Sequence, residues 1–187
     1  MAGEVTFTPT EVDYVDANRD WYAQWLRSRR AKRGMLIQML ICSGIGAAAG
    51  LFDLDVDPDR PWALALGFAL MTLVLLPIMH GMNYLLIPIR ARRLYRQQKN
   101  LRDEFRYGWG DAGISYDGAS GRGCVPWHDL HGWAAGRRTF LLFLNEQLFY
   151  FLPRRALPVE QAEDLTATAS RGRADGAQPL DGISGGL

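Results

Sequence analysis

The chain has 187 residues, a net charge of +1 and two cysteines, Cys42 and Cys124. That length holds one domain, or a small domain joined to a membrane element, and the balanced charge offers no global basic field for nucleic acid. The two cysteines sit in dissimilar settings, an apolar run and a short strand-like run, which argues against a disulfide framework.

In "EVTFT", Val5 and Phe7 alternate with Thr6 and Thr8, the period of a short strand. "TEVD", Thr10 to Asp13, follows as a helix-capping box. From there to Arg33 the pattern is helical, with Val12, Val15, Tyr22 and Leu26 on one broad face. Trp21 and Trp25 flank that face just ahead of a run of arginines. This placement suits either a helix in the membrane interface or rings packed on a cytoplasmic domain. Residues 1–33 therefore read as a cytoplasmic strand and amphipathic helix.

Two charge-poor segments come next. Gly34–Phe52 has no charge in 19 residues, and Trp62–Ile89 has no Asp, Glu, Lys or Arg in 28. A helix needs ~20 mostly apolar residues to cross a hydrocarbon core ~30 Å thick, so residues 34–89 read as a transmembrane hairpin with spans at 34–52 and about 62–84. The second segment is overlong, and it tilts, kinks near Pro77 or continues past the membrane surface. "DLDVDPDRP" between them is a tight acidic turn. Arg27, Arg29, Arg30, Lys32 and Arg33 precede the first span, and Arg90, Arg92, Arg93, Arg96, Lys99 and Arg102 follow the second. Basic residues stay cytoplasmic in short loops, so the expectation is a multi-pass protein of the inner (plasma) membrane with both termini cytoplasmic. "AAAG" at Ala47–Gly50 imitates a signal-peptide cleavage site, but the leading region is too long and too acidic for a signal peptide.

Residues 90–103 continue as a basic helix extension. The period then changes to that of strands: "EFRYGW", "GISYDG", "CVPW", a weaker "HGWAAG", then "TFLLFL" and "QLFYFL" around an "NE" turn. "GASGRG" reads as loop. Pro158 stands at a first helical position before the short helix "VEQAEDLTATA". Residues 104–169 thus predict about five short antiparallel strands closed by a helix, and residues 170–187 a disordered tail. So small a sheet buries little core alone, so the N-terminal strand, the closing helix or the membrane surface has to supply a second layer. The two cytoplasmic parts are therefore expected to pack together. The fold class expected is an α+β membrane protein, a two-helix transmembrane hairpin plus a small antiparallel β-sheet domain with a C-terminal helix.

The hairpin strands carry apolar residues on both faces, and such a pair is buried centrally. Its exits hold Arg137, Arg138, Arg154 and Arg155, expected to cluster at one end of the sheet. Beside an anionic leaflet such a cluster gains ~1 kcal/mol per arginine; the alternative is four solvated side chains. Gly46 and Gly50 form a small-residue face on the first span, for packing on the second span or for homodimerisation. His80 and Asn83 lie inside the second span, either as an interhelical hydrogen-bond pair or as part of an oligomeric transporter component. Cys124, His128 and His131 are the one conceivable metal set, for a metal-dependent membrane enzyme, but their spacing is loose and no fourth ligand is signalled. No metal, cofactor or catalytic residue is assigned: the chain has no phosphate loop, no GxSxG and no HExxH.

The order "TPTEVDYVDANR", apolar hairpin, "GISYDG", "VPWHDLHGW", "TFLLFLNEQLFYFLPRRAL" and a short acidic helix resembles the YcxB-like family of bacterial membrane proteins, from Val5 to Ala169. The resemblance rests most on Trp127 with Leu130 and on "LPRRAL" at Leu152–Leu157 followed by Glu160. It implies a two-span anchor carrying a C-terminal pleckstrin-homology-like (PH-like) sheet domain, and no established activity. The function expected is an inner-membrane protein with a non-catalytic cytoplasmic binding module. Its partners would be the lipid bilayer, anionic headgroups or another protein.

Overall fold

The computed structural model describes residues 3–51, 61–119 and 121–174, which form an α+β chain with four α-helices and two small antiparallel sheets. The chain divides into two compact units. One joins Met1–Gln24 to Ile87–Leu187, and the other is Trp25–Leu86. The acidic turn expected after Phe52 lies outside the described residues, as does residue 175 onward of the expected tail.

The first unit is built on seven strands. β1 (Gly3–Phe7), β2 (Phe105–Gly110), β3 (Gly113–Gly118) and β4 (Gly121–Pro126) form one sheet in that order. β5 (Gly132–Ala135), β6 (Thr139–Phe143) and β7 (Phe149–Pro153) form the other. The N-terminal strand widens the first sheet: Val5 pairs with Tyr107 and Phe7 with Phe105, across the whole apolar insert. Two short stretches differ from expectation. "GASGRG" is not all loop, because Gly118 pairs with Gly121 and β4 starts there. The turn after β6 is wider than "NE": Phe143 pairs with Phe149, and the Asn145 carboxamide oxygen accepts the amides of Gln147 and Leu148. Leu148 consequently belongs to the connection and is 60% exposed.

Alternation explains the core. The inward residues Val5, Phe7, Tyr107, Trp109 and Ile114 of the first sheet meet Phe140, Leu142 and Leu152 of the second. Leu165 and Ala169 of α4 (Val159–Ala174) close this cluster. α4 runs on to Ala174, so the helix takes in residues 170–174 of the expected tail. β6 is buried at every position because it has a cover on each side. Its other face, with Leu141 and Phe143, joins Ala134, Phe151 and Ala17 of α1 (Glu11–Arg27) in a second cluster. Tyr14 meets Phe151 edge-on and Trp21 stacks on Phe149, with the Trp21 indole N–H on the Glu146 carbonyl (3.3 Å). Trp21 thus packs on the sheet. Phe149–Pro153 forms β7, with Phe151, Leu152 and Pro153 buried.

The capping box forms: the Thr10 amide and hydroxyl both donate to the Asp13 carboxylate at 2.7 Å, and the Asp13 amide donates back to the Thr10 hydroxyl (3.2 Å). The buried face of α1 is the expected one only in part: Val15 is on it and Val12 is not. Val12 is 61% exposed, and Asp13, Val15, Asp16 and Ala17 are buried.

In the second unit, α2 (Arg29–Leu51) packs on α3 (Pro61–Gln97). The Ser43 hydroxyl donates to the Ala65 carbonyl (3.3 Å). Gly46 is buried where a Cβ would come within 2.8 Å of the Phe68 ring and 2.9 Å of the Leu64 carbonyl oxygen. Gly46 thus lies close against α3; nothing beyond the backbone is described at Gly50. Trp25 lies against His80, ring centroids 5.8 Å apart. Among the described residues one helix, Leu64–Gln97, is long and apolar enough to cross a membrane, and α2 does not reach that measure.

Candidate functional site

The polar chemistry of the first unit concentrates where β6 begins and β7 ends. Thr139 pairs with Pro153, and the Arg154 amide donates to the Arg138 carbonyl (2.9 Å). This register brings Arg137, Arg138, Arg154 and Arg155 to one end of the second sheet, as the hairpin reading required.

Their electrostatic roles divide. Arg155 donates twice to the buried carboxylate of Asp13, at 2.8 and 2.6 Å, and once to the Thr8 carbonyl (3.0 Å). Arg138 donates to both oxygens of Asp16, at 3.0 and 3.2 Å. The Asp20 carboxylate accepts the amides of Arg138 (3.1 Å) and Thr139 (3.0 Å) and the Thr139 hydroxyl (2.8 Å). Asp13, Asp16 and Asp20 thus form an acidic comb along one face of α1 that grips the arginine end. Arg137 and Arg154 are exposed, and among the described residues neither has an ion-pair partner. The comb was not anticipated from the sequence. Its signal was present all the same: acids at i, i+3 and i+7 share a helix face.

Burial by itself would push the Asp13 carboxyl up. The hydrogen bonds from Arg155 and Thr10, with the Arg155 charge, outweigh that and hold it below the usual carboxylate range. The same pair raises Arg155 further. Tyr107 is pushed well above an ordinary phenol, chiefly by burial, with Tyr150 and Tyr116 adding to it.

The other candidates do not assemble. Among the described residues no three His, Cys, Asp or Glu side chains gather as metal ligands. Cys124 is exposed on β4 opposite Ser115, the His128 ring lies 3.4 Å from its neighbour Asp129, and the His131 amide is spent on the Phe143 carbonyl at the start of β5. The outer face of the first sheet holds a shallow recess floored by Gly108, Gly110, Gly113 and Ser115, which sequence reading did not anticipate.

The basic helix extension is a docking segment. Arg92 and Arg96 reach the two oxygens of Glu11 (3.2 and 3.6 Å), the Tyr95 hydroxyl donates to the Pro9 carbonyl (2.9 Å), and Ala91 is buried.

No curated protein and no solved structure matches the chain. A family model does, over a shorter stretch than the expected Val5–Ala169, taking in β3 to β7, most of α4 and two of the gripped arginines. Over residues 109–169 the chain matches the model described as YcxB-like protein.

Proposed function

We propose that the chain is a membrane-anchored, non-catalytic binding module: a PH-like sheet domain with a two-helix apolar hairpin inserted between its first and second strands, both termini on the cytoplasmic side. The observation that carries this is the register of β1 with β2. The residues before and after the apolar segment belong to one folded unit. A hydrophobic insert whose two ends return to the same unit crosses a bilayer an even number of times, so if α3 crosses, α2 crosses back. The arginine runs at both ends of the insert favour the cytoplasmic side. Four strands, then three, then a closing helix is an order that supports the PH-like reading.

The partner surface is the arginine end of the second sheet. Arg137 and Arg154 are its available charges. Arg138 and Arg155 flank them with half-exposed guanidinium groups already neutralised by Asp16 and Asp13. Anionic headgroups are the ligand class such a surface takes. The test uses the full-length chain in nanodiscs. Protease-cleavable tags at both ends should be accessible from one face only; tags on opposite faces overturn the anchor. Trypsin cleavage after Arg137 and Arg154 should slow in phosphatidylglycerol discs relative to phosphatidylcholine discs. Equal rates remove the headgroup reading and leave a protein partner.

A further inference from the structure

The acids of the comb are not alike. Asp13 and Asp16 each hold an arginine with both carboxylate oxygens. Asp20 has no ion-pair partner among the described residues. One of its oxygens, Oδ2, accepts the Arg138 amide (3.1 Å), the Thr139 amide (3.0 Å) and the Thr139 hydroxyl (2.8 Å).

Those donors belong to the turn between β5 and β6, and the turn is shaped to receive an oxygen. Gly136 leaves the space: a Cβ there would collide with Oδ2 of Asp20. Two successive amides and a hydroxyl that converge on one point make an anion nest. Arginines start from the same backbone. Arg137 and Arg138 lie within the turn, and the Arg138 carbonyl accepts the Arg154 amide (2.9 Å). A lone carboxylate oxygen satisfies the nest but leaves Arg137 and Arg154 without a counter-charge. A phosphate group presents oxygens in several directions, so one can fill the nest while the others accept from guanidinium groups.

We propose that the Gly136–Thr139 turn is a phosphate-binding site and that Asp20 is its tethered plug. The ligand is a phosphate group, free or carried on a lipid headgroup, which displaces the Asp20 carboxylate and takes over its three donors. Asp20 is half-buried, so a change of rotamer returns its carboxylate to water. α1 need not move, because Asp13 and Asp16 keep their grip on Arg155 and Arg138. The inference rests on the arginine end being the partner surface, and it names the group that this surface takes.

The full-length chain in maltoside micelles is titrated with inorganic phosphate at constant ionic strength, with the amide resonances of Arg138 and Thr139 as the readout. Asp20→Ala should bind phosphate about tenfold more tightly than wild type. Asp20→Asn keeps an accepting oxygen for the turn and should gain in the same direction, so loss of the fold in Asp20→Ala does not end the test. Thr139→Val, added to either variant, should cancel most of the gain. A folded Asp20 variant without a gain, or a gain that survives Thr139→Val, overturns the proposal. Nanodiscs separate the sources. Shifts of Asp20→Ala in phosphatidylglycerol discs without added phosphate assign the site to headgroups. Shifts only when inorganic phosphate is added to phosphatidylcholine discs assign it to a soluble phosphate, and shifts in neither overturn it. The trypsin comparison remains independent. Slowed cleavage with no gain in the Asp20 variants rejects the plug and keeps the partner surface. A gain with equal cleavage rates keeps the nest and rejects the headgroup.

Discussion

Asp13 caps α1 through Thr10 and clamps Arg155 with the same carboxylate. Asp13→Asn keeps the shape, weakens the charge-assisted bonds and should cost ~1–3 kcal/mol in denaturant unfolding of the full-length chain at neutral pH. The pH dependence has a definite sign. The folded carboxyl lies below its ordinary value, so its contribution is complete above the unfolded carboxylate range and fades as pH falls through the lowered folded value. The gap between wild type and Asp13→Asn should therefore close in acid. A gap constant with pH would mean that packing, not charge, explains the loss. Gly113 is a second sensitive residue. Its φ of +155° follows the turn between β2 and β3, and a Cβ there would stand 2.3 Å from the Val125 carbonyl oxygen. Gly113→Ala should destabilise by ~1–3 kcal/mol, read as a lower thermal midpoint. At this scale the sequence was a partial guide. Thr10 and Asp13 announced their cap through local spacing. The pairing of Asp16 with Arg138, 122 positions apart, has no local signal.

Among the elements, β6 was readable because an apolar run too short for a helix and unbroken by polar residues has to be covered on both faces. α1 was legible in part: Val15 lies on the buried face as its periodicity required, and Val12 does not. Its buried face is mixed, apolar at Ala17 and acidic at Asp13 and Asp16, since the surface it covers ends in arginines. β4 was shortened because glycine suggests a turn wherever it occurs, and here glycine also makes room: a Cβ at Gly123 would lie 2.6 Å from the Tyr116 hydroxyl. Contact between α2 and α3 depends on Gly46. Gly46→Leu should drive the helices apart and lower the thermal midpoint in detergent, while Gly44→Ala, whose Cβ would meet nothing within 4 Å, should be neutral. Equal effects would show that contact elsewhere holds the pair.

For the whole molecule, β1 and the start of α1 are parts of the sheet domain despite their place in the chain. A fragment of residues 98–174 lacks the edge strand and the cover over β6, and should show a broad unfolding transition or none. Residues 1–24 joined by a flexible linker to residues 87–174 should restore a cooperative transition without detergent. Failure of the fusion to fold, with expression intact, would mean that the sheet domain needs the apolar unit for its stability. The need for a second layer was legible from the size of the domain; the second sheet and α4 meet it, while β1 widens the first sheet. The full count of strands was not legible, because short glycine-rich strands carry little periodicity.

The pairing of Gly3 with Trp109 also sets a timetable for biosynthesis. β1 leaves the ribosome first, yet its hydrogen-bonding partner is translated only after both apolar helices. Until that partner has been made, the nascent edge strand has nothing to pair with and remains open to chaperones and proteases. Completion of the sheet therefore waits for synthesis of the whole insert, and a chain stalled within it would present an unfinished domain to quality control. Ribosome-arrested chains of increasing length should acquire protease resistance in β1 only once β2 and β3 have emerged from the exit tunnel.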